Sequence, residues 1–96
     1  MRVEISQQVA DFIRKQSPEP RRRLRKALEE LRREKGDIKS LEGPLADYYR
    51  LRVYGYRIIF AYELIRGRRC IRCIFAEKRN LIYEVFADLL REFEEE

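Results

Sequence analysis

Four side chains in the second half of this 96-residue chain are of the types that phosphate chemistry uses: Arg50, Arg57, Arg79 and Tyr83. The arginines interrupt or flank runs rich in Val, Ile, Tyr and Phe, where a plain core strand carries none. A guanidinium stays protonated at neutral pH, so it cannot accept a proton. Its planar fork can bond two oxygens of one phosphate, which casts Arg50, Arg57 and Arg79 as a clamp on a phosphodiester. Cleaving RNA through its own 2′-hydroxyl needs a proton acceptor, stabilisation of a dianionic phosphorane and a donor for the leaving 5′-oxygen. Tyr83 is the candidate acceptor, because cations crowded around a phenol favour its phenolate. Lys78 can serve as the acid or extend the clamp. Arg52 and Arg72, together with Lys78, are candidate contacts to the rest of an RNA strand. The competing reading makes each arginine half of a surface ion pair and Tyr83 a ring at the edge of the core with a solvated hydroxyl.

The charge distribution points to an anionic partner. A net charge of +5 hides a polarity: residues 48–80 hold nine Lys and Arg against Glu63 and Glu77, whereas residues 84–96 hold six acids against Arg91. A basic stretch of this kind raises the local concentration of a polyanion. There is no His, and Cys70 and Cys73, three apart in an apparent strand, point to opposite faces where they neither bridge nor chelate together. Two buried thiols are expected, and no metal or cofactor. No run approaches the ~20 apolar residues of a membrane span, and the N-terminus lacks the apolar stretch of a signal peptide, so a cytoplasmic protein is expected.

These side chains must be positioned by one small domain, residues 1–96, whose core shares its elements with the site. Arg2 to Ile5 alternates as a short strand. Ser6 suits the N-cap of a helix that stops near Gln16, with Val9, Phe12 and Ile13 on one stripe. Ser17-Pro18-Glu19 opens a second helix whose buried face is Leu24, Ala27, Leu28 and Leu31, and Gly36 is placed to end it in the left-handed conformation. That helix is dense in Arg and Lys, several of which Glu29, Glu30 and Glu34 can pair along its solvent face. Residues 37–47 read as a connection broken at Gly43-Pro44, with Leu41 and Leu45 pinned to the core.

Three apolar runs follow, Tyr49–Val53, Arg57–Glu63 and Cys70–Glu77, separated at Gly55 and Gly67, which is the pattern of an antiparallel meander. In the first, Tyr49, Leu51 and Val53 share a core face and Arg50 and Arg52 the opposite one. The second is apolar on both faces and should be the central strand. Asn80 can cap a last helix with the stripe Ile82, Val85, Phe86, Leu89, Leu90 and Phe93. The predicted fold is α+β, a mainly antiparallel twisted sheet in the order β-α-α-β-β-β-α.

With that order, the elements L-x-G (41–43), Y-R-x-R-x-x-G-Y-R-I-I-F (49–60) and K-R-x-x-x-Y (78–83) resemble the RelE/ParE superfamily of bacterial toxins from type II toxin-antitoxin systems. The resemblance spans nearly the whole chain. It implies a ribosome-dependent mRNA endonuclease that works with Arg, Lys and Tyr in place of a His pair. By that resemblance Arg50 falls on a strand Lys of RelE-like enzymes, Arg57 on the hairpin Arg, Arg79 on the Arg after the last strand and Tyr83 on the C-terminal Tyr. Tyr48 stands where RelE has a further catalytic Lys, and Lys78 where many ParE-like relatives have a His. The implied partners are a cognate antitoxin and ribosome-bound mRNA, with no membrane. The alternative within the superfamily is a ParE-like toxin that inhibits DNA gyrase and has no nuclease chemistry.

Overall fold

The computed structural model describes residues 1–95, with side chains as far as Glu92. Its elements run β1 (Arg2–Ile5), α1 (Gln7–Arg14), α2 (Pro18–Leu31), β2 (Asp37–Ser40), a 3-10 turn (Gly43–Leu45), β3 (Tyr49–Val53), β4 (Tyr56–Ile65), β5 (Arg68–Lys78) and α3 (Ile82–Glu95). The strands form one sheet in the order β1-β5-β4-β3-β2. Only the β1–β5 pairing is parallel. The α+β class, the mainly antiparallel sheet and the central place of β4 are those that the sequence predicts.

Ser6 caps α1 as expected: its Oγ accepts the Val9 N–H at 3.2 Å, and its hydroxyl donates to the Ile74 carbonyl at 2.8 Å. Gln8 continues that line. Its amide donates to the Ala76 carbonyl at 2.7 Å and accepts the Ala76 N–H at 2.8 Å. Beyond the end of β1, the edge of β5 is therefore satisfied by side chains that stand in for a strand.

Three expectations need correction. Residues 37–40 are not a bare connection but β2, an edge strand paired with β3 from Asp37 opposite Arg52 to Ser40 opposite Tyr49. A strand this short, with Ile38 its only apolar residue, carries too little alternation to be read by period. Gly36 is not the left-handed terminator of α2. Glu34 takes that conformation (φ 55°), with the Lys35 N–H bonded to Glu30 O and the Glu34 N–H to Leu31 O, the paired bonds of a Schellman motif. Gly36 is required for space instead, since a Cβ there would lie 2.8 Å from Leu51 Cδ1. Glu34 also meets Tyr62, whose hydroxyl burial and the Glu34 hydrogen bond push up to about 12. Finally, Asn80 lies within a turn closed by Leu81 N–H to Lys78 O, and Leu81, whose carbonyl accepts the Val85 N–H, takes the position before α3.

The sheet is buried on both faces. Val9, Ile13, Leu24 and Leu31 of α1 and α2 pack on Leu51, Val53, Ile58, Phe60, Ile71, Cys73 and Ala76. On the other face Ile82 and Phe86 of α3 pack on Ile59 and Phe75, flanked by Leu41, Leu45 and Tyr48. The expected place of Phe93 on this stripe lies outside the described side chains. Both cysteines are buried and free, and burial pushes the Cys73 thiol up to about 12.

One irregularity decides where the end of β5 points. Ile59 is opposite Phe75 but Phe60 is opposite Cys73, so Ile74 is an extra residue on β5. Ile71 and Cys73 face α1 and α2, whereas Phe75 faces α3. The bulge reverses the parity of the strand before it reaches the basic residues at its end.

Phe60 is fully buried in the core between the sheet and helices α1 and α2, so Phe60→Ala is expected to lower the unfolding free energy by about 3 to 5 kcal/mol in chemical denaturation. Gln8→Leu leaves the Ala76 N–H and C=O without partners and is expected to cost about 1 to 3 kcal/mol. A loss below about 0.5 kcal/mol for Gln8→Leu contradicts its role as a strand surrogate.

Candidate active site

The site is built on the β3–β4 hairpin. Register partners share a face of a sheet, so Arg57, opposite Arg52 on β3 and Glu77 on β5, stands on the face that α3 partly covers. Arg50, opposite Ile59 and Lys39, is on the same face. Beyond the apolar contact of Ile82 and Phe86 the sheet thus ends in a cationic area beside the first turn of α3, where Tyr83 lies.

Arg57 is the one buried charged residue among those described, at 7% exposure. Its Nη1 donates to the Tyr54 carbonyl at 2.7 Å and the Tyr56 carbonyl at 2.8 Å. Among the described residues it takes part in no ion pair. Its pKa is lowered, first by burial, then by the cations Arg52 and Arg50, with Tyr83 acting in the opposite direction and Arg79 adding to the lowering. The four groups that bear on Arg57 electrostatically are therefore those that the sequence marks out: Arg50, Arg52, Arg79 and Tyr83. A buried cation held only by carbonyl dipoles, in a field of other cations, is electrostatically suited to receive an anion.

The hairpin that supplies those carbonyls is itself strained. Tyr54, and not Gly55, takes the positive-φ position of the two-residue turn, at φ 54°. A side chain in that region costs about 1 kcal/mol relative to glycine. The Arg23 guanidinium lies over the Tyr54 ring at 4.3 Å and braces the turn from α2. Just past the end of β5, the Arg79 N–H donates to Gly55 O at 2.9 Å, which ties the backbone of Arg79 to the same hairpin.

Arg50 is held from the strand that the sequence does not reveal. Its Nη1 donates to the Asp37 carbonyl at 3.1 Å and the Asp37 carboxylate at 3.2 Å, and its side chain is 15% exposed. Asp37 is the positioning residue that sequence reading misses, because its significance depends on β2 pairing with β3. Tyr83 is 42% exposed and shares a shallow recess with Arg50, Lys39, Leu41 and Leu45. Its hydroxyl is thus available to a bound strand, with its ring at the edge of the α3 contact.

Two predicted contacts fall elsewhere. Lys78 is opposite Tyr56, whose ring packs edge-on against Phe12 of α1 at 5.7 Å, so Lys78 belongs to the face opposite Arg57. It lines a groove with Arg23, Tyr54 and Arg79 at the hairpin end, away from Tyr83. Arg72 is opposite Ala61, roughly 13 Å along the sheet from Arg57, and pairs with Glu63 at 3.7 Å. The structure brings Arg50, Arg52 and Arg57 onto one face with Tyr83 at its edge; Arg79 acts on Arg57 from the hairpin end, where it also borders the groove that holds Lys78, and Arg72 lies outside.

No protein-family model and no curated protein matches the chain in sequence. Solved structures do match it in fold. An archaeal RelE-RelB complex from Pyrococcus horikoshii contains a chain 29% identical, with a TM-score of 0.61, over 81% of this chain and 93% of that one. A RelB-RelE antitoxin-toxin complex from Methanococcus jannaschii contains one 25% identical, with a TM-score of 0.59, over 86% and 98%. A mutant of E. coli toxin RelE in the free state is 22% identical, with a TM-score of 0.63, over 95% of each chain.

An unpaired buried cation predicts a specific response to anions. Replacing Arg57 by Met removes the desolvated charge at the cost of two part-buried carbonyl hydrogen bonds, so Arg57→Met is expected to stay within about 1 kcal/mol of the wild type in stability. Inorganic phosphate should raise the melting temperature of the wild type more than that of Arg57→Met, because only the former gains a ligand-binding term. Equal phosphate responses in the two proteins contradict an anion site at Arg57.

Proposed function

We propose that this chain is a toxin of the RelE/ParE superfamily, from a toxin-antitoxin system, and that it cleaves ribosome-bound mRNA. The observation that carries the reading is Arg57, buried without a carboxylate and surrounded by Arg50, Arg52, Arg79 and Tyr83. A scissile phosphate seated here meets the free donors of Arg57 and the exposed fork of Arg79. As the 2′-oxygen attacks, charge grows on the two non-bridging oxygens, and donors already fixed in place stabilise it without reorganising. Tyr83 relays the 2′-hydroxyl proton: its phenolic oxygen accepts that proton as its own passes to water at the open rim. The leaving 5′-oxygen, at the open rim, is protonated by water, since Lys78 stands on the other face. The products are a 2′,3′-cyclic phosphate and a 5′-hydroxyl. Arg50, fixed by Asp37, and Arg52 hold the neighbouring phosphates.

The P. horikoshii and M. jannaschii relatives are toxin-antitoxin complexes, and we assign this chain a cognate antitoxin in the same way. A segment of it that is acidic or amphipathic would cover Arg50 and Arg57 and occupy the anion site in place of RNA, which makes its affinity fall with salt. A toxin directed at DNA gyrase needs no phenol beside a phosphate clamp. The position of Tyr83 in the field of Arg57 therefore favours cleavage.

Arg57→Ala and Arg79→Ala are each expected to lose about 2 to 4 kcal/mol of transition-state stabilisation, roughly 30- to 1,000-fold in rate, while staying folded. Tyr83→Phe should keep the packing of the ring and lose cleavage. In cells, induction of the wild type should produce new transcript 5′ ends within coding regions, and the three variants should be tolerated. Intact transcripts combined with full toxicity of Tyr83→Phe would overturn the nuclease reading and point to a gyrase-type target.

A further inference from the structure

The opposite end of the sheet carries a second cationic feature that the cleavage site does not use. β4 and β5 extend past the end of β3, whose pairing with β4 stops at Phe60, so the stretch from Ala61 to Ile65 and from Arg68 to Arg72 projects as a two-stranded arm. β1 supports one side of it as far as Arg2 opposite Cys70. The arm and its base hold Arg2, Arg66, Arg68, Arg69 and Arg72. The nearby acids are already engaged, Glu63 with Arg72 and Glu4 with Arg2. Arg66, Arg68 and Arg69 are exposed and form no ion pair among the described residues.

The turn chemistry shows that the arginine at the tip is held there against local preference. Ile65 is opposite Arg68, and the two turn residues Arg66 (φ 53°) and Gly67 (φ 77°) both have positive φ, as a type I′ turn requires. Asn, Asp or Gly suits the first of these positions, whereas Arg there is strained by about 1 kcal/mol. A local rule broken without a packing gain marks a functional residue. The neighbouring guanidinium of Arg69 lies over the Tyr62 ring at 4.9 Å, which holds it flat and presented. Arg68 and Arg69 point to opposite faces of the ribbon, so cations cover the tip and both sides.

We propose that this arm is a second nucleic-acid contact, which grips the phosphate backbone of a structured RNA at a point remote from the cleavage site. Arg57 and Ile65 are eight residues apart on one strand, roughly 26 Å at about 3.3 Å per residue. That span places the arm on a different part of a large folded RNA from the strand at Tyr83. The charge and shape favour a nucleic acid over an acidic peptide: the arm is an arginine-tipped ribbon, which fits a helical groove between two backbones, and the recess at its base is lined by Arg2, Arg66, Arg68 and Arg69, with Ile65 and Cys70 its only apolar members. The unusual use of arginine alone suits bidentate phosphate contacts. The proposal does not depend on cleavage, because it concerns binding.

The test compares the wild type with Arg66→Gln/Arg68→Gln/Arg69→Gln and with a control of equal charge change, Arg14→Gln/Lys15→Gln/Arg91→Gln, in binding to an RNA stem-loop and to a DNA duplex over a salt series. Loss of three phosphate contacts should weaken binding at low salt by at least about tenfold and flatten the salt slope by about 2 to 3. The control should do neither. A parallel loss for RNA and DNA identifies the shared backbone as the ligand, and a loss for RNA alone identifies its A-form groove; both support the proposal. Arg66→Asn adds an independent sign: it should raise the melting temperature and weaken binding together. Equal losses in the arm and control variants reduce the effect to net charge and overturn the proposal. So does polyglutamate that competes as well as RNA and loses affinity for the arm variant, which would make the arm a site for an acidic peptide.

Discussion

Burying Arg57 without a carboxylate is the constraint on which the arrangement of this end of the molecule depends. Its position at the start of the central strand places the guanidinium among other cations, where desolvation and like charge both act against it. What offsets this in the free protein is a pair of carbonyls, from Tyr54 and Tyr56, at a turn between β3 and β4 in which Tyr54 takes a conformation that a tyrosine adopts at a cost. Two braces hold that turn: Arg23 of α2 stacks on Tyr54, and the backbone of the site residue Arg79 is bonded to Gly55. The protein thus spends stability to keep a donor array fixed in the free state.

The rest of the fold can be understood as the means of bringing other groups to that point. β2 exists in part to set Asp37 against Arg50, which keeps a long side chain aligned that would otherwise sweep through solvent. The bulge at Ile74 turns the last third of β5 over, so that Phe75 seats α3 on the sheet and the chain then brings Tyr83, in the first turn of that helix, to the side of Arg57. The apolar contact of Ile82 and Phe86 with Ile59 and Phe75 does double duty, closing the second core and fixing the first turn of the helix that bears Tyr83.

Much of this was legible in the sequence, for definable reasons. The α+β class follows from strong periodicity, since α1, α2 and the three long strands each bury a full stripe or face, and Ser6 and Pro18 mark helix starts by local chemistry. The alternation of Arg50 and Arg52 with Leu51 and Val53 fixes their face directly. What was not legible depends on pairing. β2 is four residues with one apolar side chain, so only its partner defines it. The bulge is invisible because both faces of β5 are apolar, and a parity change between two apolar faces leaves no trace in the pattern. For that reason the face of Lys78 could not be told from that of Arg79, and Arg72 could not be assigned to Glu63. Gly36 invited the commonest explanation of a glycine after a helix, when its actual constraint is the distance to Leu51.

The most direct test of the account is the structure of the protein with a short RNA that carries a 2′-deoxy nucleotide at the cleavage position, so that the attacking hydroxyl is absent and the complex persists. The account predicts a phosphate oxygen within hydrogen-bond distance of the Arg57 guanidinium, with the deoxy 2′ carbon facing the Tyr83 hydroxyl. A phosphate bound elsewhere, with Arg57 still bonded only to the Tyr54 and Tyr56 carbonyls, would contradict it.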